Sequence, residues 1–184
     1  KKTNFNKRHM KNLSEYVNEA LRLPQEDEYK PFNTGGLVKI IRKEIEANGN
    51  ECDLNHIDVS KITDMRALFS SESHGYGFGD FNGDISKWDV SNVTNMQAMF
   101  QQTGANADVV NIGNIGNWDV SKVETMTYMF FGICSGSKTL CNIGDLSKWN
   151  TSNVTNMYFM FGGAGQSATA FNIGNIGNWN TSKV

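Results

Sequence analysis

Five stretches carry residue types that could do chemistry. Gly132-Ile133-Cys134-Ser135-Gly136 matches a G-x-C-x-G nucleophile elbow. Such an elbow works only at a strand–turn–helix corner with a histidine and an acid in reach. Here it falls in a Gly/Ser-rich insert, and His9, His56 and His74 are all distant in sequence. A Cys-nucleophile enzyme is therefore a remote reading, and the chain reads as non-enzymatic, without a cofactor. Asp80-Phe81-Asn82-Gly83-Asp84 resembles the opening of a calcium loop, but an EF-hand needs Gly sixth and Glu twelfth. Counted from Asp80, glycine is fourth and the twelfth residue is Ser91, so the stretch reads as a turn. Cys52 and His56 are two ligand types where a zinc site needs four. Met96, Met99, Met126, Met129, Met157 and Met160 recur in phase, which marks core gap-fillers and not a copper stripe. Gly75-Tyr76-Gly77-Phe78-Gly79 lacks the strand and helix of a dinucleotide fingerprint. It reads either as a flexible loop or as one that offers Tyr76 and Phe78 to a partner, since aromatics anchor interfaces.

The elements that must position these residues are written as repeats. Asp84 to Phe100 reads D-I-S-K-W-D-V-S-N-V-T-N-M-Q-A-M-F, and close copies run over 115–130 and 146–161. A degenerate copy covers 57–69, and a further one starts at Ile176 and runs to Val184. Phe69, Phe100, Phe130 and Phe161 step by 31, 30 and 31 residues, and Trp88, Trp118, Trp149 and Trp179 by 30, 31 and 30. A fixed period of this size with one aromatic and one aliphatic set in phase predicts a solenoid. The I-x-x-W-x-V spacing is that of a leucine-rich repeat. Alternation at Trp88 and Val90 predicts a short strand, and Met96, Met99 and Phe100 a turn of helix or 3₁₀ helix capped by Ser91, Ser121 and Ser152. Asn82, Asn111, Asn142 and Asn172 can form a ladder between copies. No copy buries its own apolar face, so stacking must bury Trp on Trp, Met on Met and Phe on Phe.

Before the repeats, Thr34 to Ala47 places Leu37, Ile40, Ile41 and Ile45 on one helical face, with Thr34 as N-cap and Gly49 as stop. Residues 34–56 read as a helical N-terminal cap on the solenoid of residues 57–184. Residues 1–33 comprise a basic tail, a short amphipathic helix with Leu13, Tyr16, Val17 and Leu21 on one face, and an acidic linker. That helix reads as an anchor or docking segment, because about ten residues are marginal alone.

Composition bounds the rest. The chain has 184 residues, 39% apolar, with 17 basic and 19 acidic side chains. Residues 1–50 hold 10 basic and 7 acidic residues, leaving 7 and 12 beyond. Without a basic excess, a general nucleic-acid binder is not expected. No membrane span or signal peptide is visible. Three cysteines are too few for a disulfide framework; they read as reduced or partly buried thiols, although Cys134 and Cys141 flank a short loop and could pair.

The phrase F-N-G-D-I-S-K-W-D-V-S-N-V-T-N-M-Q-A-M-F, residues 81–100, resembles the repeat of BspA-like leucine-rich-repeat surface proteins of mycoplasmas, gut bacteria and some phages. The lead-in from Cys52 to Met65 is similar too, and the resemblance covers about residues 36–184. It implies a leucine-rich-repeat solenoid, an α/β fold with a short strand and a short helix or 3₁₀ turn per ~30-residue repeat. It also implies extracellular display, adhesion and a host-surface protein partner. The inserts of this chain are longer than the family's usual connections. Met10 to Tyr16 resembles the N-termini of some large-phage virion proteins, which opens an alternative: a virion structural or decoration protein held by its N-terminal segment. Expected partner contacts are the outward positions beside the tryptophans (Lys87, Asp89, Asn117, Asp119, Lys148, Asn150, Asn178 and Asn180) and the inserts. On that reading Trp118→Ala destabilises the fold, whereas Asp119→Ala mainly weakens binding.

Overall fold

The computed structural model describes residues 29–71, 75–136 and 139–184. Among the described residues the first α-helix is α1, Thr34–Asn48. Asn33, not Thr34, caps it: the Asn33 Oδ1 accepts from Gly36 N at 2.9 Å, and the Thr34 hydroxyl instead donates to the Asp64 carbonyl. Gly49, at φ 82°, ends it by donating its N–H to Ile45 O. Leu37 and Ile41 are fully buried in the same core as the copies that follow, while Ile40 and Ile45 lie at its edge.

Each later copy lies beside the one before it. Strands β1 (Val109–Asn111), β2 (Leu140–Asn142) and β3 (Ala170–Asn172) form a parallel sheet in the order β1-β2-β3, with Val110 opposite Cys141 and Cys141 opposite Phe171. A second parallel ladder runs through Asp64, Asn95, Thr125 and Asn156. The strands precede the tryptophans and do not include them, contrary to the alternation at Trp88 and Val90. Single 3₁₀ turns at Ile115–Asn117, Leu146–Lys148 and Ile176–Asn178 come between, each closed by the following tryptophan N–H.

The inward positions form columns. Phe69, Phe100, Phe130 and Phe161 stack with ring centroids 5.6, 5.6 and 5.4 Å apart and nearly parallel planes. The tryptophans lie against this column, and each indole N–H donates to a carbonyl of the preceding copy: Trp88 to Leu54, Trp118 to Ile85, Trp149 to Ile115 and Trp179 to Leu146. Burying so large a ring is favourable only when its polar N–H finds such a partner. The asparagines join copies as expected: Asn82 Oδ1 accepts from Asn111 N, and Asn111 Oδ1 from the Asn142 amide. Among the described residues no helix is long and apolar enough to cross a membrane.

Candidate functional site

The site begins with a five-residue phrase that each copy repeats: M-R-A-L-F at 65–69, M-Q-A-M-F at 96–100, M-T-Y-M-F at 126–130 and M-Y-F-M-F at 157–161. Its outer residues face the core. Its second and third residues lie off the core cluster, Ala98 among them still buried, across a tight turn in which the N–H of the fourth residue donates back to the carbonyl of the first. The residue before the phrase sets that turn: Asp64, Asn95 and Asn156 each accept from the second residue's N–H at 2.9 Å. The third residue is left-handed in all four copies, with φ 55° at Ala67, 55° at Ala98, 56° at Tyr128 and 50° at Phe159. Glycine or asparagine normally fills such a position, and an ordinary side chain there costs about 1–2 kcal/mol. The inter-copy ladder holds it in place: Ala67 donates to Gln97 O, Ala98 to Thr127 O and Tyr128 to Tyr158 O.

One backbone conformation thus presents alanine in the first two copies and an aromatic ring in the next two. Phe131, just beyond the third phrase, and Tyr158 complete a four-ring ridge. Tyr128 meets Phe131 at 5.6 Å and Tyr158 at 5.5 Å, both edge-on, and stacks on Phe159 at 6.0 Å. Phe131 lies 6.3 Å from Phe159. Gly162 makes this possible, since a Cβ there would sit 2.8 Å from the Phe159 ring and 2.9 Å from that of Phe131. Tyr158 and Phe159 remain 58% and 54% exposed. The Tyr128 phenol is pushed above its ordinary value, first by desolvation and then by the Tyr158 phenol beside it. Tyr128 and Phe131 are half-buried beside Tyr158 and Phe159, so the cluster is contiguous and partly exposed. Aligning the four phrases would have revealed it, because their second and third positions drift from Arg-Ala to Tyr-Phe while the Met and Phe at the two ends stay constant.

The residues expected from the sequence fare differently. Phe78 is a correction: it is buried against Phe69 at 6.5 Å with the Arg42 guanidinium 5.0 Å from its ring, so it serves the core. Tyr76 is exposed, and its carbonyl accepts from Arg42. Lys87, Asp89, Asn117, Asp119, Lys148, Asn150, Asn178 and Asn180 are all exposed, beside the buried Trp88, Trp118 and Trp149 and the half-buried Trp179. Four of them already hold turns of the scaffold, since Asp89, Asp119, Asn150 and Asn180 accept from the N–H of Ser91, Ser121, Ser152 and Ser182 at 3.0–3.2 Å. The serines thus donate to a cap and do not provide it. The Asp119 carboxyl is held below its ordinary range, first by the Ser121 hydroxyl and then by the Ser121 N–H. Asp119→Ala therefore also loosens a turn. Leu13, Tyr16, Val17 and Leu21, and with them the anchor helix, lie outside the described residues.

Cys134 is bonded to Cys141, so the elbow sequence offers no free thiol in this state. This pairing is the one their spacing left open and differs from the reduced thiols favoured by the low cysteine count: within one copy the two Cα atoms lie 5.9 Å apart. Cys52 is buried and its thiol is pushed up, first by desolvation and then by Glu44, which opposes thiolate formation. Asp84 in the calcium-like loop caps Ser86 N at 2.8 Å, and a Cβ on Gly83 would meet Cys52 O at 1.9 Å, so this loop lies hard against the preceding copy. Among the described residues no group of three or more His, Cys, Asp and Glu could hold a metal.

A family model described as "Mycoplasma protein of unknown function, DUF285" matches residues 37–140 and again 105–184. No curated protein and no solved structure matches the chain.

Proposed function

We propose, for a chain that belongs to the DUF285 family of Mycoplasma proteins, a role as a non-enzymatic protein-interaction and adhesion module displayed on the cell surface. On this reading the copies form a leucine-rich-repeat-like solenoid of the BspA-like type, closed at one end by α1. The aromatic ridge is the observation that carries the proposal. Four rings occupy positions that the fold leaves free, two of them on strained left-handed backbone. Strain kept outside the core is a reason to suspect function. The Cys134–Cys141 bond supports extracellular display, since such bonds persist in oxidising compartments.

The test is adhesion of beads coated with the purified chain to an animal cell monolayer, before and after surface proteolysis of the cells. Ridge-dependent adhesion that is lost on proteolysis is expected. Adhesion that survives proteolysis would point away from a protein partner.

A further inference from the structure

The disulfide occupies a revealing place in the repeat. Gly104, Cys134 and Gly165 each stand four residues after the phrase's last phenylalanine. All three are left-handed, with φ 67°, 55° and 61°. In the second copy a Cβ on Gly104 would lie 2.1 Å from Val110, and in the fourth a Cβ on Gly165 would lie 2.8 Å from Phe171. Val110, Cys141 and Phe171 are opposite one another in the sheet. Two copies therefore close the insert with glycine against a large apolar side chain. The third closes it at the same two positions with a covalent bond. Cys134 has a Cβ where its counterparts have none, so the noncovalent closure of the neighbouring copies is not available to it.

The closed insert abuts the ridge. It begins at Gly132, directly after Phe131, and its ends are stitched to both neighbouring copies: Gly132 donates to Gly162 O, Cys134 to Thr103 O, and Gly165 to Ile133 O. Gly162 is also the residue that lets Phe131 and Phe159 approach. Both sulfurs are buried, but Ser135 and Gly136 are half-buried and Thr139 and Leu140 exposed, so opening of this short loop gives a small thiol access.

We propose that the Cys134–Cys141 bond is a redox-sensitive lock on the aromatic ridge. Oxidised, it fixes the insert and with it Phe131. In the reducing step, two molecules of a small monothiol, or one dithiol, attack in turn. The S–S bond breaks, its two sulfurs take up two electrons and two protons, and the reductant leaves as its own disulfide. The insert then loses its closure while the Phe and Trp columns keep theirs. The effect on binding rests on the reading of the ridge as the binding surface; the effect on the insert does not.

The experiment compares backbone hydrogen exchange and bead adhesion with and without a small dithiol, in the native chain and in Cys134→Gly/Cys141→Val. That double variant installs the closure of the second copy. Reduction of the native chain is expected to speed exchange at the Cys134 and Gly165 amides at least about tenfold, leaving Val93 and Val123 unchanged. If the loosened ridge holds its binding geometry about a tenth of the time, adhesion weakens about tenfold. The double variant should bind in both conditions and ignore the dithiol. Unchanged exchange at Cys134 and Gly165, a uniform rise across the chain, or a dithiol-sensitive double variant would overturn the lock. So would faster insert exchange with undiminished adhesion. If neither form adheres, the binding role of the ridge falls, and the exchange result still decides whether the insert is locked.

Discussion

Two rows of residues, two positions apart in every copy, follow opposite rules. The inner row, Phe69, Phe100, Phe130 and Phe161, never changes and stacks face to face. The outer row, Ala67, Ala98, Tyr128 and Phe159, repeats its backbone angle but not its side chain. The inner row is fixed by what it touches, because each ring is the floor for the next. The outer row is fixed only by its turn, so its side chains are free to differ. Repetition therefore identifies scaffold, and drift within a repeated conformation identifies the positions that the scaffold leaves open to change.

That contrast can be broken most severely at Phe100, which stacks on two rings and lies 6.3 Å from Trp118. Phe100→Ala is expected to cost about 3–5 kcal/mol in denaturant unfolding. A loss no larger than that of an outer-row substitution would remove the distinction. Asp119→Ala comes next, at about 0.5–1.5 kcal/mol for one hydrogen-bonded turn. Asp119→Asn should cost less, because Asn150 and Asn180 already accept the same bond. Ala98→Gly is expected to be neutral or to gain up to about 1 kcal/mol, since glycine tolerates the left-handed angle. A clear loss there would mean that the turn is not strained.

The smallest expected effect is in acid. Asp58 and Asp119 have carboxyls held below the ordinary range, first by the hydroxyls of Ser60 and Ser121. The native state therefore binds these protons less readily than the unfolded chain. Their contribution is complete above about pH 4 and is lost as pH falls through the lowered native values. Asp119→Asn should flatten the acid limb of the stability curve slightly, and an unchanged limb would show that the turn carboxylates do not contribute.

The sequence made the inner row legible because large apolar residues at a constant step have one economical explanation, burial against their own copies. The asparagine bonds at Asn82, Asn111 and Asn142 followed for the same reason. The outer row was hidden because a left-handed turn is normally advertised by glycine or asparagine, and here Ala, Tyr and Phe occupy it. Phe78 looked like an exposed loop aromatic because its neighbours are glycines, whereas the fold returns it to Phe69 and brings the distant Arg42 over its ring. The strands were misplaced because Trp88 and Val90 alternate in burial without belonging to the hydrogen-bonded sheet. The Cys134–Cys141 pair was legible as an option from its spacing, but which option holds depends on how the insert brings the two Cα atoms to 5.9 Å.

The most direct test of the central claim is bead adhesion by Tyr128→Ala/Phe159→Ala, measured beside its unfolding free energy. These changes give the third and fourth copies the alanine that the first two already carry at the same angle. Adhesion should be lost, with stability shifting by no more than about 1 kcal/mol. Full adhesion by a folded double variant would contradict the account.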